Sequence, residues 1–531
     1  MEDLMAMCKR RGFIYPAFEI YGGAAGFYDY GPLGSLMKKN IEDLWRNFYL
    51  SHENFAEVSC PTVVPEIVLK ASGHVDRFTD FVSKCQKCRS SYRAHHLLKG
   101  VVDDPSSLTP NAIREIFKGG EIKCPKCGEK LTDVSTFHLM FETSIGENSK
   151  GFLRPETAQG IFINFPNMYR YFREKLPFGI VQIGRGYRNE ISPRQGMIRL
   201  REFNMAEVEF FFDDPRCREF EKIKDEKLNL FPREGSEMSL KAREIYDKNM
   251  IKNQFQIYFM VMTKNFLIKA GIDPERLRFR QHYVQEMAHY ARDCWDAEAL
   301  LDEWVEVAGI ADRGTYDLKA HMQSSGNDFS VERKRKQIKI KKEKLEEIEK
   351  KFGKEKVGDI IKKVEKLEFD EDADLDEIEI EKIILKKEFF DQYIIKKGKF
   401  VPSVIEPSYG IDRILYSILF HNFKQGVLAL PPGIAPIKFG VFPLLRKKDL
   451  KAKARGIFDT LNKEGIKCYY DEGGSIGRRY ARMDEIGTPF CITVDHQTLE
   501  DNSVTIRFRD TKDQIRVNIK DMAEKARDLL G

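Results

Sequence analysis

Arg188 and Glu190 stand two residues apart, and Arg199, Phe203 and Glu207 follow at steps of four. In extended chain both spacings place side chains on one face. Two antiparallel strands joined through residues 191–198 would therefore make a charged, aromatic floor. The connection carries Pro193, Arg194 and Gly196, as a segment that must bend and stay polar would. A guanidinium binds phosphate oxygens in two-pronged fashion and a phenyl ring gives a flat purine a stacking surface, so the chemistry suggested is that of a nucleotide. A surface hairpin with ordinary ion pairs shares the pattern.

Other segments carry reactive residue types. Arg154 and Glu156 flank Pro155 just ahead of Thr157. Residues 302–322 alternate as a strand does and put Trp304 and Glu306 on one face, where a carboxylate could hold magnesium against phosphates; a half-exposed strand is the alternative. Val404 to Phe420 reads as strand, glycine turn and apolar helix, with Arg413 in the first helical turn, where the helix start adds to its charge for binding an anion. Of ten cysteines, four form two Cys-x-x-Cys pairs, Cys85 with Cys88 and Cys124 with Cys127. Four thiolates suit a closed, structural zinc site clamping an insertion, with free thiols as the alternative. The polar connector from Val101 to Lys118 is not expected to order itself without that clamp.

The elements that must position these groups follow from periodicity. Glycine-rich, aromatic residues 22–34 lead into a helix with Pro32 in its first turn. Leu33, Leu36, Met37, Ile41, Leu44, Trp45 and Phe48 give it one wide apolar stripe. The β-rich run Phe55 to Pro65, broken by prolines, fits an edge strand. Core packing explains this helix and strand; a dimer seam is the sharper expectation. Residues 216–270 read as amphipathic helices. Residues 331–400 hold 21 basic and 19 acidic residues, and this mixture of signs favours a solvated helical hairpin over an RNA clamp. Within it, Glu371 to Glu379 is strongly acidic. After the linker Leu430 to Pro436, strands and helices alternate, which implies a separate α/β domain.

At 531 residues, two to four domains are expected, and 42% hydrophobic with 32% charged residues is a soluble globular balance. No run of eighteen apolar residues occurs, and Met1-Glu-Asp-Leu-Met5 lacks the pattern of a secretion signal, so a cytoplasmic location is expected and disulfides are not. A net charge of +5 is modest, so any nucleic acid would be gripped by local patches.

Together these motifs resemble a class II aminoacyl-tRNA synthetase, and within that class the glycyl-tRNA synthetases of the archaeal and eukaryotic dimeric type, over nearly the whole chain. Gly26 to Gly34, with the following helix and Pro65, is similar to motif 1, the dimerisation element. Tyr187 to Glu190 with Arg199, Phe203 and Glu207 resembles motif 2, and Gly410-Ile-Asp-Arg413 resembles motif 3. Leu153 to Gly160, Gly73 to Phe78, Met205 to Glu209 and Glu406 to Ser408 mark the subgroup. Gly474 to Arg482 is similar to the anticodon-binding domain shared with the threonyl, prolyl and histidyl enzymes.

The resemblance implies an α+β catalytic domain, an antiparallel sheet flanked by helices, in residues 1–80, 135–330 and 400–430. It implies a zinc-knuckle insertion at 81–134, a charged insertion at 331–400, and an α/β anticodon-binding domain with a mixed five-stranded sheet at 434–531. The reaction implied is ATP-dependent formation of glycyl-adenylate and transfer of glycine to tRNA(Gly), by a homodimer using Mg2+. Arg188 and Arg413 would be catalytic. ATP would also meet Asn189, Glu190, Ile198, Arg199, Leu200, Arg201, Phe203, Glu306, Val307, Gly410 and Asp412. Glycine would meet Arg93, Glu156, Glu207, Glu406, Pro407 and Ser408, with Arg313 near the adenylate and zinc on Cys85, Cys88, Cys124 and Cys127. Two positions depart from the family pattern: His95 replaces a usual acid, and Asp412 fills the second glycine position of motif 3.

Two competing readings are distinguishable. A synthetase-like protein that binds tRNA or assists a polymerase without catalysis would not need both Arg188 and Arg413. The same chemistry with threonine, proline or histidine would need a pocket ligand for a side chain, and the sequence offers three glutamates and Ser408 instead.

Overall fold

The apolar stripe from Leu33 to Phe48 becomes the helix Pro32–Leu50, with Met37, Ile41, Trp45 and Tyr49 buried. Its first turn lies so close to the backbone of Phe13 that a Cβ on Gly34 would stand 1.9 Å from the Phe13 carbonyl oxygen. The structure, a computed structural model, describes residues 2–98, 101–102, 108–119, 122–131, 133–191, 193, 196–284, 286–288, 290–370, 373, 375–380 and 383–530. Arg194, Glu371 and part of the connector 101–118 lie outside them. The chain divides into two units, Met1–Ser324 with Ser403–Gly531, and Ser325–Pro402.

In the first unit the central sheet has, among the described residues, nine strands. Their spatial order is Met238–Lys241, Lys227–Phe231, Leu277–Gln281, Asp293–Leu300, Trp304–Gly314, Ser403–Gly410, Glu202–Phe212, Phe178–Tyr187 and Phe55–Glu57. Pairing is antiparallel except at Lys227–Phe231 with Leu277–Gln281 and at Phe178–Tyr187 with Phe55–Glu57. Alternation along Glu202–Phe212 explains the layers: Ala206, Val208, Phe210 and Phe212 join the core formed with the helices Pro32–Leu50, Gln254–Ala270 and Ile411–Asn422. Phe203, Glu207 and Glu209 point to the other face, where the helices Ala158–Ile163 and Tyr316–Ser325 lie.

Several expectations give way to different local structure. Arg188, Glu190 and Arg199 are not on strands: the ladder ends at Tyr187 opposite Glu202, and a 3-10 turn at Gly196–Ile198, entered at positive φ, occupies the connection. Phe55 to Pro65 is two short strands, since Pro61 interrupts pairing, and Val63–Pro65 joins a separate sheet with Ser149–Leu153 and Phe141–Ile145. Within 216–270, Lys227–Phe231 and Met238–Lys241 are strands, with Leu228 and Leu230 buried at period two. Residues 302–322 are strand only to Gly314, whose φ of +56° breaks it before the helix begins at Tyr316. In the connector, Pro110–Lys118 is a helix capped by Thr109, and it buries Ile113 and Phe117 against Ala94 and Leu98.

Beyond the core, Phe439–Pro443, Cys468–Tyr470 and Phe490–Val494 run parallel, and Ser503–Phe508 and Gln514–Asn518 add antiparallel, making the mixed five-stranded sheet. Arg509 fastens it to the linker by donating to the carbonyl of Leu430 (2.9 Å), and it also donates to that of Gly487 (2.8 Å) within the domain.

The second unit is not a helical hairpin. Val331–Ile340 and Phe390–Phe400 form a long antiparallel pair, with Ile338, Ile340 and Phe390 buried against the helices Leu345–Phe352 and Lys354–Val364. The lysines at the start of the segment occupy a strand whose charges project beside a small isoleucine-rich core.

Candidate active site

The turn at Gly196–Ile198 and the helix start at Ile411 converge on a cleft lined by Arg188, Glu190, Ile198, Arg199, Leu200 and Phe203 from one side, and by Glu306, Val307, Ser408, Gly410, Asp412 and Arg413 from the other. Arg188 donates from Nε to the Pro155 carbonyl (3.2 Å), and its guanidinium lies over Phe203 (5.3 Å) and Phe78 (5.5 Å). Those two rings hold its charge flat at the cleft without neutralising it. Arg413 donates to the Ile198 carbonyl and to both the backbone oxygen and Oε2 of Glu306, each at 2.9 Å. Burial would raise Glu306, but Arg413 and then Arg188 hold it below the usual carboxylate range, although 51% of its side chain is exposed.

Not every residue named for the nucleotide points into this cleft. Arg201 donates to the carbonyls of Glu190 (2.8 Å) and Ala25 (3.0 Å), and its own N–H donates to Gly26 (2.9 Å). It ties the motif 2 loop to the glycine-rich lead of the long helix. Asn189 donates its N–H to Leu139 at 2.6 Å. Asp412 accepts from Asn204 through Oδ1 (2.9 Å) and Oδ2 (2.5 Å) and from the Tyr30 hydroxyl, so its carboxylate fixes the strand rather than facing a ligand. Arg93, expected on the glycine side, pairs with Glu190 (2.6 Å) and Asp80 (2.8 Å) beside the cleft. His95 lies 3.7 Å from the same Asp80.

Next to the cleft, on the same sheet face, acid is concentrated around one buried cation. Arg313 has no exposed side-chain surface; it donates to Asp317 through Nε (2.7 Å) and Nη2 (2.8 Å) and to Glu406 through Nη1 (2.7 Å). Its guanidinium is 3.6 Å from the ring centre of Tyr290, and Glu156 stands 3.7 Å away. Glu156 also accepts from Gln159 (2.9 Å) and faces His74 Nε2 at 3.4 Å. Burial raises Glu156, but His74 and Arg313 overcome it and hold the carboxyl well below the ordinary range. Glu207 accepts from the Thr157 N–H (2.6 Å), the Thr157 hydroxyl and the Ser408 hydroxyl (3.2 Å); burial, with Glu156 adding, still pushes it up. Burial pushes Glu406 up to about 8 against the pull of Arg313. Pro407 follows Glu406 on the strand Ser403–Gly410 opposite Ile310 and contributes backbone shape.

Arg154, quoted with Glu156 but given no role, supports this pocket from outside. It donates to the carbonyls of Arg185 (2.9 Å) and Cys60 (2.8 Å), and Gly184 makes room for it, since a Cβ there would lie 2.1 Å from Nη2. His74, Gln159 and Asp317 also escaped the sequence reading. The first two lie inside quoted motifs; Asp317 announces itself only by standing four residues beyond Arg313.

Cys85, Cys88, Cys124 and Cys127 come together with sulfurs within 4.8 Å of one another, at 3.4 Å for Cys85 with Cys127 and 3.6 Å for Cys88 with Cys124. A tetrahedral zinc ion with bonds of about 2.3 Å needs sulfurs about 3.8 Å apart, so four thiolates here fit that ion. The Cys88 N–H donates to the Cys85 sulfur (3.4 Å), as a metal knuckle requires. The adjoining strands Thr79–Lys84 and Ser91–Arg93 deliver Asp80 and Arg93, and Arg93 bridges Asp80 to Glu190.

Comparison with known proteins agrees with this geometry. Residues 141–419 match the class II core domain of tRNA synthetases (G, H, P, S and T), and residues 434–529 match an anticodon binding domain. Proteins named glycine–tRNA ligase from Methanothrix thermoacetophila and Methanococcus maripaludis are each 46% identical to this chain, covering all of it and 97% and 99% of their own lengths. One of the same name from Archaeoglobus fulgidus is 45% identical, again over the whole chain and 97% of its own length. With a class II core around a cleft that sets Arg188 and Arg413 beside a carboxylate-rich pocket, the chain belongs to the glycine–tRNA ligase family of class II aminoacyl-tRNA synthetases.

Proposed function

We propose that this chain activates glycine with ATP and transfers it to tRNA(Gly), with the residues of the two adjoining pockets dividing the labour. The observation that carries the reading is the set of buried carboxyls of Glu156, Glu207 and Glu406 beside a cleft that holds Arg188 and Arg413. Three acceptors suit the three N–H donors of an amino-acid ammonium. Phe203 would stack on adenine, Arg188 would hold the α-phosphate, and Arg413 would clamp the distal phosphates. When bound, Mg2+ neutralises phosphate charge, and Glu306 is the carboxylate that would hold it.

A carboxylate oxygen of glycine attacks the α-phosphorus in line; the bond to the bridging oxygen breaks, and pyrophosphate leaves with the electron pair. Arg188 and Arg413 meet the charge of the transition state, so positioning and electrostatics supply the rate. The ribose hydroxyl at the tRNA 3′ end then attacks the glycyl carbonyl, its proton passes to a phosphate oxygen of the adenylate, and AMP leaves with the electron pair of the broken acyl–oxygen bond. Ser408, fixed by Glu207, would stand at the α-carbon and leave no room for a methyl group, which rejects alanine by sterics.

Two associations complete the proposal. Val63 and Ile145 are exposed on the small sheet that contains Val63–Pro65, and Ile67 on the helix that follows it; these apolar residues support a homodimer built on this sheet and the helix Pro32–Leu50. Cys85, Cys88, Cys124 and Cys127 would hold structural zinc. Among the described residues no helix is long and apolar enough to cross a membrane, and the reaction belongs to the cytoplasm, where translation runs. Exchange of labelled pyrophosphate into ATP, measured with each amino acid in turn, tests the activity. Strong exchange with glycine alone is expected; exchange driven by another amino acid, or none, would refute it.

A further inference from the structure

Glu209 closes the quoted run from Met205 and takes no part in the mechanism above. It has 0% exposed surface, and neither carboxyl oxygen has a hydrogen-bond partner among the described residues. Its neighbours make this more than a packing detail. On the two paired strands Glu207 lies opposite Ser408 and Phe210 opposite Ile405, which sets Glu209 directly opposite Glu406 on the same sheet face. Two carboxyls in that relation have Cβ atoms about 5 Å apart, and like charges there repel. The groups around it are Glu207 on its own strand, Glu406 on the next, Arg313 on Trp304–Gly314 and Asp317 on Tyr316–Ser325. The strand Phe178–Tyr187 contributes apolar Ile180, and the helix Ala158–Ile163 contributes Phe162, packed under Arg313. Arg313 is the cation of this group, and its bonds go to Asp317 and Glu406.

An ionised carboxylate without a single donor is not tolerated in such a place, whereas a neutral acid is. We propose that Glu209 is a positioning residue of the glycine pocket that works as a neutral carboxylic acid: by keeping its proton it leaves Arg313 wholly to Glu406 and Asp317. Burial, with Glu406 adding, acts in the same direction and drives Glu209 well above the usual range. A charged Glu209 would compete for the guanidinium, draw it away from Glu406, and put one more negative charge under a pocket built for a single ammonium. The inference rests on the glycine reading and extends it by assigning the protonation state that makes the pocket work.

Glutamine is the neutral isostere of a protonated glutamate, so the charge state is directly testable in the full-length chain. In glycine-dependent pyrophosphate exchange, Glu209→Gln should keep kcat/KM within about threefold of the parent. Glu209→Ala, which empties the space under Glu406, should raise KM for glycine about tenfold and leave KM for ATP unchanged. The infrared difference between parent and Glu209→Gln should contain a protonated-carboxyl stretch that shifts in heavy water. Glu209→Gln as damaged as Glu209→Ala, Glu209→Ala with unchanged KM, or a difference spectrum without that band would overturn the proposal. Should Glu209→Ala fail to fold, Glu209→Gln and the infrared band still decide. A parent chain inactive with glycine would strike the activity instead, which separates the two failures.

Discussion

Arg313→Met removes the guanidinium that holds Asp317 through two hydrogen bonds and Glu406 through a third. Methionine fills much of the same volume, so the loss is electrostatic rather than a cavity. Charge-assisted hydrogen bonds contribute about 1.5–3 kcal/mol each, and stranding one side of a buried ion pair costs about 3–5 kcal/mol. The carboxyls left behind can relieve that cost only by taking up protons. Glu406, already pushed up to about 8 by burial, rises further once Arg313 no longer opposes it. Above the ordinary carboxylate range the folded variant then binds more protons than its unfolded chain, so its stability falls as pH rises, by about 1.4 kcal/mol per pH unit for each such carboxyl. The parent shares this slope up to about pH 8 and the variant continues beyond it, so the destabilisation should be larger at about pH 9.5 than at about pH 7, with a midpoint shift of roughly 10 °C at the higher pH. Heating followed by circular dichroism and by residual glycine-dependent exchange measures both. Equal shifts at the two pH values would refute the reasoning, because packing loss carries no proton dependence.

Two further changes probe the supports of the site. Cys124→Ser should release the metal: purified parent should return about one equivalent of zinc per chain by metal analysis and the variant much less, and KM for ATP should rise as Arg93 loses its hold on Glu190. Gly184→Ala should force Arg154 off the carbonyls of Cys60 and Arg185, because the new methyl lies 2.1 Å from Nη2; a loss of about 1–3 kcal/mol in stability is expected in a denaturant titration, with KM for glycine rising more than KM for ATP.

Legibility in the sequence followed the range of the interaction. The helix Pro32–Leu50 and the alternation after residue 434 are local patterns, and residue order alone displays them. Arg188, Phe203 and Arg413 could be named because their motifs fix the spacing of nearby residues. The strand Val331–Ile340 was hidden by its own lysines and arginines, which mask a two-residue period whose apolar members matter only once Phe390–Phe400 lies beside it. Asp317 and His74 were invisible for another reason: one gains meaning from Arg313 and the other from Glu156, 82 residues away, and a single buried charge leaves no periodic trace. Arg201 looked like a nucleotide ligand because an arginine's partners cannot be read from its type.

The two strands that carry Glu207 and Glu406 are direct neighbours in the sheet, yet 190 residues separate Phe212 from Ser403. At about 5–20 residues per second, a ribosome needs roughly 10–40 s to supply the second after the first. Throughout that interval the edge of Glu202–Phe212, joined over its latter half by that of Trp304–Gly314, both rich in apolar residues, awaits the strand that will pair with it. Synthesis of this chain thus passes through a stage with two open β edges and no amino-acid pocket, and the nascent protein's hazard is premature edge pairing.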